Sequence, residues 1–162
     1  NPQLGLLNGV LELFGISGPA WLYDSRWAML AVVMMSLWAG FGTNMMIFLS
    51  GLKGVSQSLY EAARVEGANR WQIFTHITWP SISKTTFLVT TMLIISSFQV
   101  FDQAFILTRG GPGNATITLV YYIYNNGFNN LNMGYASSIS MVLFLIILVF
   151  SVMNTKLNNA DI

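Results

Sequence analysis

The side chains able to do chemistry in this chain are few. His76 is the only histidine, and no cysteine, aspartate or second histidine stands near it at ligand spacing. A structural or partner-contact role follows for it, and no metal site is expected. No catalytic constellation and no Gly-x4-Gly-Lys-Ser/Thr phosphate loop occurs, so the chain is expected neither to be an enzyme nor to bind ATP itself. What remains is hydrogen bonding set in apolar sequence. Asn44 shares a helical face with Leu37, Phe41 and Phe48, and its amide suits a hydroxyl while the rings could stack on a sugar. Ser96, Ser97 and Gln99 interrupt a second apolar stretch at its middle, where polar groups face protein or a water-filled path. Asp102 and Gln103 follow near its outer end, where a carboxylate stays solvated or meets a solute. Gly40 and Gly42 equally suit close helix packing, and the nine methionines suit apolar packing.

The elements that carry these residues are membrane spans. Of 162 residues, 54% are hydrophobic and only 8% charged, against about 25% charged in a soluble domain. Net charge is +1 with no basic stripe, which argues against nucleic acid as a partner. No cysteine is present, so disulfides and thiolate metal sites are excluded. Three stretches are long and apolar enough to span, at about 28–50, 85–107 and 135–152, and lipid requires all three to be helical. The expected fold class is all-α, a polytopic helical membrane protein. Lys53, Arg64, Arg70 and Lys84 fall between the first two spans and Lys156 follows the third, leaving only Arg26 and Arg109 on the other side. The positive-inside rule therefore places the 51–84 loop and the C-terminus in the cytoplasm.

Segments outside the spans also carry pattern. Leu4, Leu7, Leu11 and Phe14 share a face opposite Asn8 and Glu12, which predicts a short helix on the membrane surface, broken by Gly18-Pro19. Gly110 to Asn114 is a turn cluster. Tyr121, Tyr122, Tyr124 and Phe128 read as an interfacial aromatic belt or as a surface for solute or an external partner. The chain opens on Asn1 without a signal-peptide pattern and reads as lacking the start of a longer protein.

The 51–84 loop is more than a connection. Ser58 and Glu61 have capping-box spacing, so a helix is expected over 59–67 with Gly67 as its stop. A second helix is expected from Asn69 to Ile77, with Trp71, Phe74 and Ile77 on one face and Pro80 ending it. Such a helical knob suits insertion into a partner's groove.

These residues resemble a known family. Glu61-Ala62-Ala63, three residues, Gly67, nine residues, then Ile77 and Pro80 is similar to the cytoplasmic loop of permease subunits in bacterial binding-protein-dependent ABC importers. Trp79 stands where leucine is usual and Ser56 where proline is common. Leu4 to Asn8, Trp21-Leu22, Phe98 to Asp102, Leu107-Thr108, Gly110-Gly111-Pro112, Thr116 and Gly134 to Ser137 resemble the maltose-type sugar branch. The resemblance implies that residues 1–162 are the C-terminal part of one permease domain in the bacterial inner membrane. It implies a second permease subunit, a pair of ATPase subunits carrying ATP and Mg2+, and an external solute-binding protein, with a carbohydrate as solute. Glu61, Ala62, Ala63, Gly67, Ile77 and Pro80 would couple to the ATPase, while Phe41, Asn44, Ser96, Ser97 and Gln99 are the candidates for the solute path. A membrane scaffold, a transporter or channel working without ATP, or an ABC permease for a non-sugar nutrient is the competing expectation.

Overall fold

The computed structural model describes residues 5–160. Among them every regular element is helical, in the order α1 (Leu6–Leu13), α2 (Ser25–Lys53), α3 (Gln57–Val65), α4 (Arg70–Ile73), α5 (Trp79–Ser81), α6 (Ser83–Phe98), α7 (Leu119–Tyr124) and α8 (Met133–Ala160). Wide π turns occupy Phe74–Thr78, Ala104–Thr108 and Asn125–Asn129. Contacts divide the chain into two compact units. One takes the chain up to Ala39 together with Ser96–Ile146; the other takes Gly40–Ile95 and the end of α8 from Ile147.

Helices α2 and α8 are the unbroken spans. α2 has 29 residues, about 43 Å at 1.5 Å per residue and more than a bilayer's hydrocarbon core needs. It begins where Asp24 Oδ1 accepts from the Arg26 backbone N–H at 2.9 Å. α8 is the most apolar, and its early hydroxyls bond back into the helix, Ser138 to the Gly134 carbonyl at 3.0 Å and Ser140 to that of Ala136 at 2.9 Å. These two hydroxyls then need no water in lipid.

The expected continuous span over 85–107 is corrected. α6 stops at Phe98 after 16 residues, about 24 Å. Gln99 to Phe101 leave the helix, and the chain resumes helically only at Asp102 before the π turn Ala104–Thr108. No proline or glycine causes the break. The freed Val100 carbonyl instead accepts the Thr118 hydroxyl at 2.6 Å, a contact from 18 residues away. Only when joined with Arg70–Ser81, from which it is bent by 65°, does α6 belong to a segment long enough to cross.

In α1 the predicted face is partly present, with Leu7 and Phe14 exposed; Leu4 lies outside the described residues. The stop is corrected. Gly15, at φ +71°, ends α1 before Gly18-Pro19 is reached. Its N–H donates to the Glu12 carbonyl at 2.9 Å and that of Ile16 to Leu11 at 3.0 Å, the paired bonds of a Schellman stop. Asn8 is not on a wet face either. It is buried, accepts the Trp21 indole N–H at 2.7 Å and donates to the Pro19 carbonyl at 3.2 Å. A Cβ at Gly18 would collide with the Asn8 side-chain amide, so this glycine is required by close approach.

The 110–114 turn is present as expected. Thr116 is fully buried beneath it, donating to the Gly111 carbonyl at 2.8 Å and meeting the Thr108 hydroxyl at 2.6 Å. The aromatic residues after it do not line up as separate anchors. Phe101, Phe105, Tyr121 and Tyr124 pack on one another with centroids 5.2–6.3 Å apart, and Phe128 stands 5.3 Å from Tyr124.

Candidate functional site

The site is built on α3 to α5, between the end of α2 and the start of α6. α3 begins earlier than its sequence suggests. Its N-cap is Ser56, with no side-chain cap, and Ser58 lies inside the helix with its hydroxyl 2.7 Å from that of Ser56. Glu61 therefore does not close a capping box with Ser58. It accepts from the Gln57 side chain one turn back at 2.9 Å. Glu61 and Ala62 are exposed while Ala63 is 8% exposed. The small side chains keep this face of α3 low.

Gly67 ends α3 in the left-handed conformation, at φ +80°. The Gly67 N–H donates to the Arg64 carbonyl at 3.1 Å and that of Ala68 to Ala63 at 2.9 Å, a second Schellman stop. Asn69 then starts α4 at once. Its Oδ1 accepts from the Gln72 N–H at 2.9 Å while Gln72 Oε1 accepts from the Asn69 N–H at 2.8 Å. This reciprocal box is legible as Asn-x-x-Gln, whereas Ser58 and Glu61, which have the same spacing, form none. Replacing a cap by alanine costs about 1 kcal/mol. Asn69→Ala is expected to raise amide exchange over Arg70–Ile73 by about fivefold, read by hydrogen exchange on the full-length protein; unchanged protection would contradict the assignment.

Pro80 does not end the second helix; the segment runs to Ser81. A proline lacks an N–H and its ring collides with the carbonyl four residues back. The π turn just before it removes that conflict by shifting the ladder, the Trp79 N–H reaching the Phe74 carbonyl five residues back. Thr75 and Thr78 hydroxyls bond back to the Trp71 carbonyl at 2.9 Å and to that of Ile73 at 3.5 Å. The extra residue in the turn also brings Trp79 round to Phe74. Trp71, Phe74 and Trp79 form one ladder, with centroids 5.7 and 6.2 Å apart, whereas Ile77 is half-buried. The exposed aromatic face is thus completed by Trp79 rather than Ile77. The Tyr60 hydroxyl meets that of Thr78 at 3.2 Å and ties α3 to the wide turn. His76 is exposed, its Nδ1 2.9 Å from the Thr75 hydroxyl, and no group of three His, Cys, Asp or Glu able to hold a metal forms among the described residues.

The solute-path candidates are distributed differently. Phe41 and Asn44 lie on α2 within one compact unit; Ser96, Ser97 and Gln99 belong to the other. Phe41 is 66% exposed, and Asn44 donates to the Gly40 carbonyl at 2.8 Å. Ser96 and Ser97 occupy the last turn of α6, and Gln99 is the first residue past it, so they mark the end of a helix and not its middle. Asp102 is exposed just after the break.

Residues 4–159 match the family described as binding-protein-dependent transport system inner membrane component. A probable ABC transporter permease protein, YurN of Bacillus subtilis, is 39% identical over 96% of this chain and 54% of its own. The arabinooligosaccharides transport system permease protein AraP of the same organism is 36% identical over 98% of this chain and 51% of its own. The chain thus spans about half the length of the curated relatives it matches. The crystal structure of a bacterial alginate ABC transporter, in complex with an alginate pentasaccharide-bound periplasmic protein, has a chain of the same fold. It superposes with a TM-score of 0.87 at 22% identity, over 99% of this chain and 56% of that one.

Proposed function

This chain belongs to the family of binding-protein-dependent transport system inner membrane components, and we propose that it forms the C-terminal half of a permease subunit in an ATP-driven carbohydrate importer. The observation that carries the reading is the Glu61-Ala62-Ala63 helix, exposed at Glu61 and Ala62, closed by a left-handed Gly67 and held between two apolar helices. A cytoplasmic ATPase pair, carrying ATP and Mg2+, docks on α3. A second permease completes the pore, and an external binding protein delivers the solute. The loop and the C-terminus face the cytoplasm.

Closure of the ATPase pair moves α3 to α5 as a lever. Ser81 adjoins α6 with a single residue between, and α3 follows α2 after a three-residue link, so displacement of the knob is passed to both spans. ATP drives the switch by the difference in its affinity for the two states. The solute class rests on relatives such as the arabinooligosaccharide permease. Phe41 and Asn44 in one unit, and separately Ser96, Ser97 and Gln99 in the other, are the proposed solute contacts, since aromatic faces, amides and hydroxyls suit the faces and hydroxyls of a sugar. The test is reconstitution of the full-length protein with its partners in proteoliposomes. ATP inside and binding protein outside are expected to drive labelled oligosaccharide inward. Equal uptake without ATP would overturn the reading.

A further inference from the structure

We propose that the cleft between α3 and α4 receives a carboxylate side chain of the ATPase partner, gripped by Arg64 and Arg70 together. The inference rests on the preceding reading that an ATPase docks here, and adds which charge that partner must present. The cleft holds about 550 Å3 and is lined by Tyr60, Arg64, Ala68, Arg70 and Ile73. Arg64 sits in the last turn of α3, and Arg70 is the first residue of α4. The left-handed turn at Gly67 folds the two helices so that both arginines reach one depression.

Neither guanidinium is compensated. Both arginines are exposed, and among the described residues neither forms an ion pair or side-chain hydrogen bond. The acids nearest in sequence do not serve: Glu61 is engaged by Gln57 at 2.9 Å, and Glu66, exposed at the C-cap of α3, forms no ion pair with either arginine. The Tyr60 hydroxyl is turned to Thr78 at 3.2 Å and leaves the ring as part of the wall. Two like charges at one depression repel, so an anion between them relieves repulsion as well as forming bonds. Guanidinium forks match a carboxylate in two-point geometry. The remaining walls are Ala68, Ile73 and the Tyr60 ring, which suit the methylene stem of aspartate or glutamate and offer no further donor. A lipid phosphate would answer to the same charge. The cleft, however, belongs to the helix pair that carries the docking sequence, which favours a protein carboxylate.

The test uses the full-length permease in its assembled complex. Carbodiimide joins amines, but not guanidinium groups, to carboxylates. The Arg64→Lys/Arg70→Lys double variant keeps both charges and is expected to form a new permease–ATPase cross-link at position 64 or 70. Arg64→Glu/Arg70→Glu is expected to weaken ATPase retention at least tenfold, with restoration when the cross-linked acid is changed to lysine. A complex that co-purifies normally but gives no cross-link to the ATPase and tolerates charge reversal would overturn the inference while leaving the docking reading intact. A loss of binding to anionic nanodiscs, with ATPase retention unchanged, would assign the cleft to lipid instead. Failure of wild-type permease to retain any ATPase would overturn both.

Discussion

A Gly67→Pro permease is expected to reach the membrane in normal amounts and to lose ATP-driven uptake by more than about tenfold. Gly67 sits at φ +80°, a conformation open to glycine and closed to proline, whose ring fixes φ near −65°. The Gly67 N–H also donates to the Arg64 carbonyl, and proline has none to give. Both defects fall on the joint between α3 and α4, outside the long apolar helices, so insertion is spared while the knob loses its shape. Gly67→Ala keeps the N–H and retains part of the activity, since an alanine in the left-handed region costs about 1–2 kcal/mol. Uptake and membrane abundance measured side by side check the series. Normal uptake by the proline variant would show that the turn transmits nothing.

Gly51→Leu is expected to damage the base of the lever. A Cβ at Gly51 would lie 2.5 Å from Thr85 Oγ1 and 3.0 Å from its Cβ. Gly51 is in the last turns of α2 and Thr85 in the first turn of α6, so the two helices meet here at glycine distance, as small residues allow in membranes. Forcing larger groups into such a contact costs about 1–3 kcal/mol. The detergent-solubilised protein should lose roughly 3–10 °C of midpoint temperature. Thr85→Gly combined with Gly51→Ala should recover most of the loss, whereas Thr85→Gly alone should not mimic the defect. An unchanged midpoint in Gly51→Leu would mean that the helices separate without cost.

Much of this architecture is written in local pattern. Charge-free apolar runs fix α2 and α8, because lipid leaves no other way to satisfy their backbones. The spacing from Glu61 to Gly67 fixes α3 and its stop, because only glycine closes a Schellman turn without strain. What escaped depends on distant partners. The break at Gln99 to Phe101 carries no breaker residue and exists where Thr118 captures the Val100 carbonyl. Asn8 looks like a polar-face residue until Trp21 and Pro19 fold over it. Pro80 marks a helix end in sequence, yet the π turn before it absorbs the proline and carries the helix on. Ser58 and Glu61 have capping-box spacing, yet Ser56 starts the helix first and leaves Ser58 inside it.

The central claim is that α3 to α5 form a cytoplasmic lever pressed by a separate ATPase. Residues 1–162 hold no cysteine, so Ser58→Cys and Glu66→Cys, placed in a full-length protein freed of any cysteine elsewhere, each provide one reactive thiol at an exposed position. A membrane-impermeant maleimide is predicted to leave both unlabelled in intact cells. It should label both after permeabilisation and label them less when the ATPase is bound. Labelling of either position in intact cells would put the lever on the wrong side of the membrane and contradict the account.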